Sequence, residues 1–249
     1  HGALDWHVSD QGWTAVCCGQ SIHLDAAFGT LAGWEADGVQ VITQALEPIF
    51  FRAATEIDAA ANPAAGWGQR WREAGLDRLE TRVVDTRALR FEQGGFGLHT
   101  DLVSRNPAGQ DVAQTSVLTT IQADGSVRVD ALFRTASWLP PLPRVGVTLR
   151  LPLDFARLEW YGRGPHESYC DRKESAGLGH YSSSVAERFH PFIVPCETGG
   201  IEDLRWARLW TASGLLFEVV ADSPLHASVL PYSVAQMDRA RHTHELPAP

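Results

Sequence analysis

The sequence predicts an all-β protein built as an antiparallel sandwich or barrel, with very little helix. Two observations lead to this. Apolar and polar residues alternate with period two through much of the chain, and turn residues punctuate those runs at short spacing. Helical periodicity is scarce by comparison, which disfavours a parallel sheet with crossover helices.

Taken in order, residues 12–18 and 21–25 are the first strand candidates, followed by 79–91 and 96–104. Asp124-Gly125 stands between Thr119-Thr120-Ile121-Gln122 and Ser126-Val127-Arg128-Val129. That pattern predicts a hairpin closed by a tight primed turn, because Asp-Gly tolerates positive φ. Val127, Val129, Ala131 and Phe133 alternate mainly with Arg128, Asp130 and Arg134. Val145, Val147, Leu149 and Leu151 alternate with Arg144, Gly146, Thr148 and Arg150. Each run reads as a strand with one face on a core. Residues 158–160, 205–211 and 215–221 complete the strands. A short helix is expected over 68–74, with Gly75 as its stop and Trp67 and Trp71 on one face. Residues 184–188 and 235–241 are each expected to make a turn or two of helix.

The chain has 249 residues, of which 44% are hydrophobic and 20% charged. That is globular composition with ample material for a core. The formal net charge is −9, with arginines scattered among acids. A nucleic-acid binder shows the reverse sign clustered on one face, so nucleic acid is set aside. No run of 18 apolar residues occurs, which excludes a membrane-spanning helix. Cys17, Cys18, Cys170 and Cys196 form no CxxC pair and suit neither a disulfide framework nor a zinc site. Free thiols in a reducing, cytoplasmic compartment are expected. Pro140-Pro141-Leu142-Pro143 fits either a linker or a crossover between sheets, and one domain over 1–249 is the preferred reading. The chain opens His1-Gly2-Ala3 and its only methionine is Met237. That suggests a fragment of a longer protein, with His1-Gly2 as a tag remnant.

The densest cluster of glycine, aromatic and charged residues is Trp160-Tyr161-Gly162-Arg163-Gly164-Pro165-His166-Glu167-Ser168-Tyr169-Cys170-Asp171-Arg172. Gly162 and Gly164 allow backbone conformations closed to other residues, and Pro165 stiffens the loop that follows. Such a loop carries function when a sheet holds it rigid. The rival reading is a structural corner in which Glu167, Asp171 and Arg172 pair with one another or with backbone.

This segment resembles the W-x-G-x-G-P-x-E-x-Y-x-D-R motif of the small-chain domain of family-2 β-galactosidases. Pro191-Phe192-Ile193-Val194-Pro195-Cys196-Glu197-Thr198-Gly199-Gly200 resembles the family's P-Y-x-x-P-x-E-N-G segment, and Leu204-Arg205-Trp206 follows at the family's position. Upstream, Pro48-Ile49-Phe50-Phe51-Arg52-Ala53 and Trp71-Arg72-Glu73-Ala74-Gly75-Leu76 resemble P-x-x-x-R-A-P and W-x-x-A-G-L. Order and spacing agree from about residue 10 to 246. Thr198 replaces the family's Asn, and Ala54 its Pro.

The resemblance implies a galactose-mutarotase-like β-supersandwich, truncated at its C-terminus, where the family's later strands carry a Trp to the active site. It also implies that the parent enzyme hydrolyses terminal β-galactosides with retention. The two catalytic glutamates would lie outside this chain, on a TIM barrel. By that account no residue here is catalytic and no cofactor is needed. Trp160, Gly162, Gly164, Pro165, Glu167, Tyr169, Asp171, Arg172, Glu197, Arg205 and Trp206 would form a structural or sugar-facing surface. The expected partners are the barrel and other domains of the parent, a galactoside, and further subunits of a homo-oligomer. Two alternatives stay open. One is a free-standing carbohydrate-binding module, with Tyr161, Tyr169 and Trp206 stacking on sugar. The other is an aldose-mutarotase-like enzyme using Glu and His as base and acid. His166, His190, His226, His242 and His244 are available, but none sits in a matching motif. His242-x-His244 has no obvious carboxylate partner, so no metal site is expected.

Overall fold

A computed structural model describes residues 4–59, 66–91 and 95–248. The terminal residues on which the tag expectation rests, His1-Gly2-Ala3, lie outside that range, as does Pro249. The strands are antiparallel throughout, and all-β architecture is confirmed. Internal contacts group the chain into two compact units: His1–Phe51 with Ala61–Pro152, and Arg52–Ala60 with Leu153–Pro249.

In the first unit, β1 (Asp5–Ser9), β2 (Gly12–Cys17), β3 (Gln20–Asp25), β4 (Leu31–Ala36) and β5 (Val39–Ile42) form a five-stranded meander in sequence order. Two of its turns need positive φ at both central residues: Cys18 (51°) with Gly19 (78°), and Asp37 (51°) with Gly38 (77°). These are the primed two-residue turns that match strand twist. Next come β6 (Gln44–Ile49), then β7 (Glu80–Arg90), β8 (Phe96–Arg105), β9 (Asp111–Ile121) and β10 (Val127–Thr135). The last four make a sheet in the order β10-β9-β8-β7, and β11 (Gly146–Arg150) returns to pair with β6. Ile22, Leu24, Ile42, Phe50, Phe96, Leu98, Val112, Val117 and Ile121 are all at most 1% exposed and form this unit's core. Full burial of each stabilises the fold by roughly 1.5–3 kcal/mol.

In the second unit, β12 (Arg157–Gly164), β13 (Gly177–Ser184), β14 (Gly200–Trp210) and β15 (Leu216–Ser228) make one sheet in the order β13-β12-β14-β15. Its core holds Leu158, Trp160, Ile201, Leu204 and Met237.

Helix is confined to α1 (Glu56–Ala59), α2 (Trp67–Glu73), α3 (Val234–Arg239) and three short 3₁₀ turns among the described residues. The helix expected over 68–74 is α2, and Gly75 ends it with φ 74°. Trp71 is buried, while Trp67 stays 41% exposed under the Arg70 guanidinium. The 235–241 turn is α3, opened by a capping box between Ser233 and Gln236. α1 has no counterpart in the sequence reading, since four residues leave no periodicity to detect.

Three local expectations need correction. The Asp124-Gly125 hairpin is not closed by a two-residue primed turn. Gln122 and Ser126 still pair (N–H to O, 2.9 Å), and only Gly125 has positive φ (85°). The turn is a three-residue loop with glycine at its left-handed position, and Asp124 instead accepts the Ser126 N–H. The alternation over 145–151 does not bury its apolar face: Val145 and Val147 are 48% and 40% exposed, because among the described residues β11 pairs with β6 alone. Gly162 and Gly164 do not take positive φ. Both lie in β12, which runs well past the three residues expected.

Candidate functional site

The motif begins inside β12. Even-numbered Leu158, Trp160, Gly162 and Gly164 face the core and odd-numbered residues face away, as strand geometry requires. Gly162 and Gly164 are needed for space. A Cβ at Gly164 would stand 2.7 Å from Tyr181 Cδ2 and 3.1 Å from Trp160 Cζ2. At Gly162 it would stand 3.1 Å from Ile201 Cγ2. The Trp160 indole N–H donates to the Arg163 carbonyl (3.1 Å). The Gly164-Pro165 bond is cis, and the chain then leaves the sheet.

Glu167 follows and is saturated with donors. Its Oε2 accepts the Gly199 N–H (2.9 Å) and the Thr198 hydroxyl (3.0 Å), and its Oε1 accepts from the Arg172 guanidinium. Burial alone would raise its pKa. The Gly199 N–H, Arg172 and Thr198 outweigh burial and hold the carboxyl below its ordinary range. Thr198 fills the place of the family's Asn with a fully buried hydroxyl that also accepts the His190 N–H (3.3 Å).

Arg188 completes the cluster. It is 6% exposed and its guanidinium carbon lies 4.8 Å from the Trp160 ring centroid. Nη1 donates to the Pro165 carbonyl (2.8 Å) and Nη2 to the Gly199 carbonyl (3.2 Å). Burial lowers its pKa, while the charge of Glu167 pulls it back up. A guanidinium stays protonated through such a shift. One buried cation therefore ties the loop after Pro165 to the turn at Gly199, over an aromatic face.

The rest of the loop is pinned by the same turn. Ser168 N–H donates to the Gly200 carbonyl (2.9 Å), and its buried hydroxyl accepts the Glu202 N–H (3.0 Å). The Tyr169 hydroxyl accepts the Gly200 N–H (3.2 Å). Tyr169 also stacks on His226 (5.5 Å), whose Nδ1 lies 2.9 Å from Glu202 Oε1. Tyr169 and Arg172 bridge across a tight turn that has Cys170 and Asp171 at its exposed tip. Glu197 is 3% exposed, and its N–H donates to the Ala53 carbonyl (3.2 Å). Beside it, burial and the surrounding carboxylates of Glu167, Glu197 and Glu56 push the Cys196 thiol up to about 11.

The structure thus gathers Trp160, Gly164, Pro165, Glu167, Tyr169 and Arg172 with Thr198 and Gly199. Tyr161, Arg205 and Trp206 lie on the opposite face of the sheet. There Tyr161 is the cross-strand neighbour of both His180 and Trp206. His180 packs against both rings (4.8 and 5.2 Å), while Arg205 covers Tyr161 and Arg208 covers Trp206. Asp171 joins no hydrogen bond among the described residues.

Arg188 escaped the sequence reading, because burial of a cation leaves no local pattern. Arg163 belongs to the motif, and its role is not visible in the local sequence. It donates through Nε to Asp203 (2.5 Å) and through Nη1 to the carbonyls of Lys173 (2.9 Å) and Ala176 (3.0 Å). Its bracing of the loop against β14 needed the tertiary partner to be seen. The reading of His242 also changes: it lies at a 3₁₀ turn, stacks on His244 (5.4 Å), and has Glu245 as a carboxylate neighbour at 3.4 Å. Among the described residues, no group of three or more His, Cys, Asp or Glu is placed to hold a metal ion. No helix among them is long and apolar enough to cross a membrane.

Comparison with known proteins agrees with the motif reading. The sequence is 32% identical over 225 residues to the β-galactosidase of Vibrio cholerae serotype O1, covering 88% of this chain and 21% of that protein. It is 31% identical over 256 residues to the β-galactosidase of Klebsiella pneumoniae strain 342, covering 99% of this chain and 24% of that protein. For the Priestia megaterium β-galactosidase the identity is 27% over 248 residues, with 100% and 23% covered. The chain therefore spans about a fifth to a quarter of the length of the curated relatives it matches. The model of the family described as beta-galactosidase small chain matches residues 18–249, and the protein belongs to that family.

Proposed function

We propose that this chain is the C-terminal sandwich portion of a larger retaining β-galactosidase, which scaffolds the catalytic barrel and shapes the edge of its cleft. The observation that carries this is the state of Glu167. The carboxylate at the heart of the motif holds the loop to the Thr198-Gly199 turn and to Arg172, with both oxygens engaged. A general acid needs a raised pKa and a nucleophile needs access to substrate. Glu167 is held in the opposite state, which suits a structural anchor. Hydrolysis of terminal β-galactosides then belongs to glutamates elsewhere in the parent polypeptide. The parent is proposed to be a cytoplasmic homo-oligomer, in keeping with four cysteines that form no disulfide.

The test compares three proteins: this chain alone, a full-length relative, and that relative without the corresponding segment. The chain alone is expected to leave nitrophenyl β-galactoside uncleaved and not to accelerate galactose mutarotation in polarimetry. The deleted relative is expected to lose hydrolysis. Full activity of the deleted relative, or turnover by the chain alone, overturns the proposal.

A further inference from the structure

A hollow lies in the first unit, far along the sequence from the motif. A cavity of about 430 Å³ opens on the face of the β7–β10 sheet turned away from the core. Two register irregularities flank it, one between Val83 and Asp85 and one between Ser104 and Arg105. Such bulges bend strands and re-aim side chains, and here they coincide with a hollow in an otherwise regular ladder.

Two adjacent rungs line the hollow. In one, Asp101 faces Ser116, which faces Leu132. In the other, Val103 faces Gln114, which faces Arg134. Asp101 accepts from the Ser116 hydroxyl, which also lies 3.2 Å from His99 Nε2. Asp101 is thus fixed in place, with Arg87 no closer than 3.9 Å. Arg105 and Asp111 neutralise each other at the rim (2.6 Å). The Gln114 and Arg134 side chains make no hydrogen bond or ion pair among the described residues, although they are neighbours across one rung. The hollow therefore offers an amide, a guanidinium unpartnered among the described residues and an anchored carboxylate, with buried Val103 at its base and the exposed side chains of Leu132 and Val84 beside it.

We infer that this cavity binds a neutral, polyhydroxylated ligand of pyranose size. Charge decides the class. The lining carries Asp101 and Asp111 against Arg105 and Arg134, so it balances. An anion drawn to Arg134 meets Asp101, and a cation drawn to Asp101 meets Arg134. Hydroxyls spaced around a ring satisfy both, because a hydroxyl can donate to a carboxylate and can accept from a guanidinium or amide. Val103, Leu132 and Val84 supply the apolar contact for the C–H face of the ring. The volume falls at the small end of the ~300–1,000 Å³ typical of small-molecule sites. The aromatic rings expected from the sequence to stack on sugar are not part of this site. This inference is independent of the scaffolding role proposed above.

The experiment titrates the 249-residue chain with methyl β-D-galactopyranoside by NMR, with inorganic sulfate as the anionic comparison. Millimolar binding is expected for the glycoside. Gln114→Ala and Arg134→Ala, both at exposed positions, are expected to weaken it about tenfold each, the loss of one good hydrogen bond. Arg128→Ala, on the same strand outside the cavity, should leave affinity unchanged. Circular dichroism checks that each variant is folded. No glycoside binding, binding unaffected by Gln114→Ala and Arg134→Ala, or sulfate binding tighter than glycoside would each overturn the inference.

Discussion

Arg188 lies over Trp160, with its guanidinium carbon 4.8 Å from the ring centroid, in a site that leaves only 6% of the arginine exposed. The contact joins a 3₁₀ turn to β12, an inner strand of the second unit's sheet. It also aims two donors at the carbonyls of Pro165 and Gly199. Replacing Arg188 with Met keeps much of the volume and strands both carbonyls. The expected cost is about 2–4 kcal/mol in urea denaturation. Arg188→Lys should recover little of it, because one ammonium cannot reproduce the planar fork. A variant as stable as the parent chain would show that the cation holds nothing together.

Glu167 makes the second unit sensitive to acid. Its folded pKa is depressed, so the stability it contributes is fully present above the unfolded value of about 4.5 and is lost as pH falls through the folded pKa. Stability is therefore expected to drop as pH is lowered below about 4.5. Glu167→Gln should be less stable at neutral pH and flatter across that acid window. Urea midpoints measured at several pH values check this, and parallel curves for the two proteins would refute it.

Gly199 is a position where only glycine fits. Its φ is 68°, and a Cβ there would stand 2.4 Å from the Arg188 carbonyl oxygen. Gly199→Ala combines left-handed strain of roughly 1–2 kcal/mol with that clash, and a fall in Tm of several degrees is expected. Gly38→Ala is the control. It shares the positive φ but has nothing within 4 Å, so it should bear the strain alone and cost less.

The thiols should divide into two classes. Cys18 and Cys170 are exposed, while Cys17 and Cys196 are buried. Burial raises both buried thiols, Cys196 to about 11, and the thiolate is the reactive form. At pH 8 an aromatic disulfide reagent should label Cys18 and Cys170 quickly, and Cys17 and Cys196 only on unfolding. Fast labelling of all four in the native chain would contradict the packing around residue 196.

Much of the fold could be read locally. Alternation in β10, the glycine stop at Gly75 and the Asp-Gly hairpin each depend on a few neighbouring residues. The primed turns at Cys18-Gly19 and Asp37-Gly38 give weak local signals, because one carries an atypical Cys and the other joins strands of only four to six residues. β13 was missed for a different reason. Its Gly177-Leu178-Gly179-His180-Tyr181 run has weak strand propensity and is a strand because β12 pairs with it.

The sequence by itself determined the fold class, the family, and the segment from Trp160 to Arg172 as the feature that identifies it. Those properties are written in spacing along the chain. Only the tertiary structure decided what each motif residue does. It put Trp160 and Tyr161 on opposite faces of a sheet, engaged both oxygens of Glu167, and brought in Arg188 from sixteen residues beyond the motif's end at Arg172. It also brought Gln114 and Arg134 together in the lining of a hollow, without a hydrogen-bond partner among the described residues. The reason is physical: period-two geometry sets which way a side chain points, but burial and pairing depend on strands that meet only after folding.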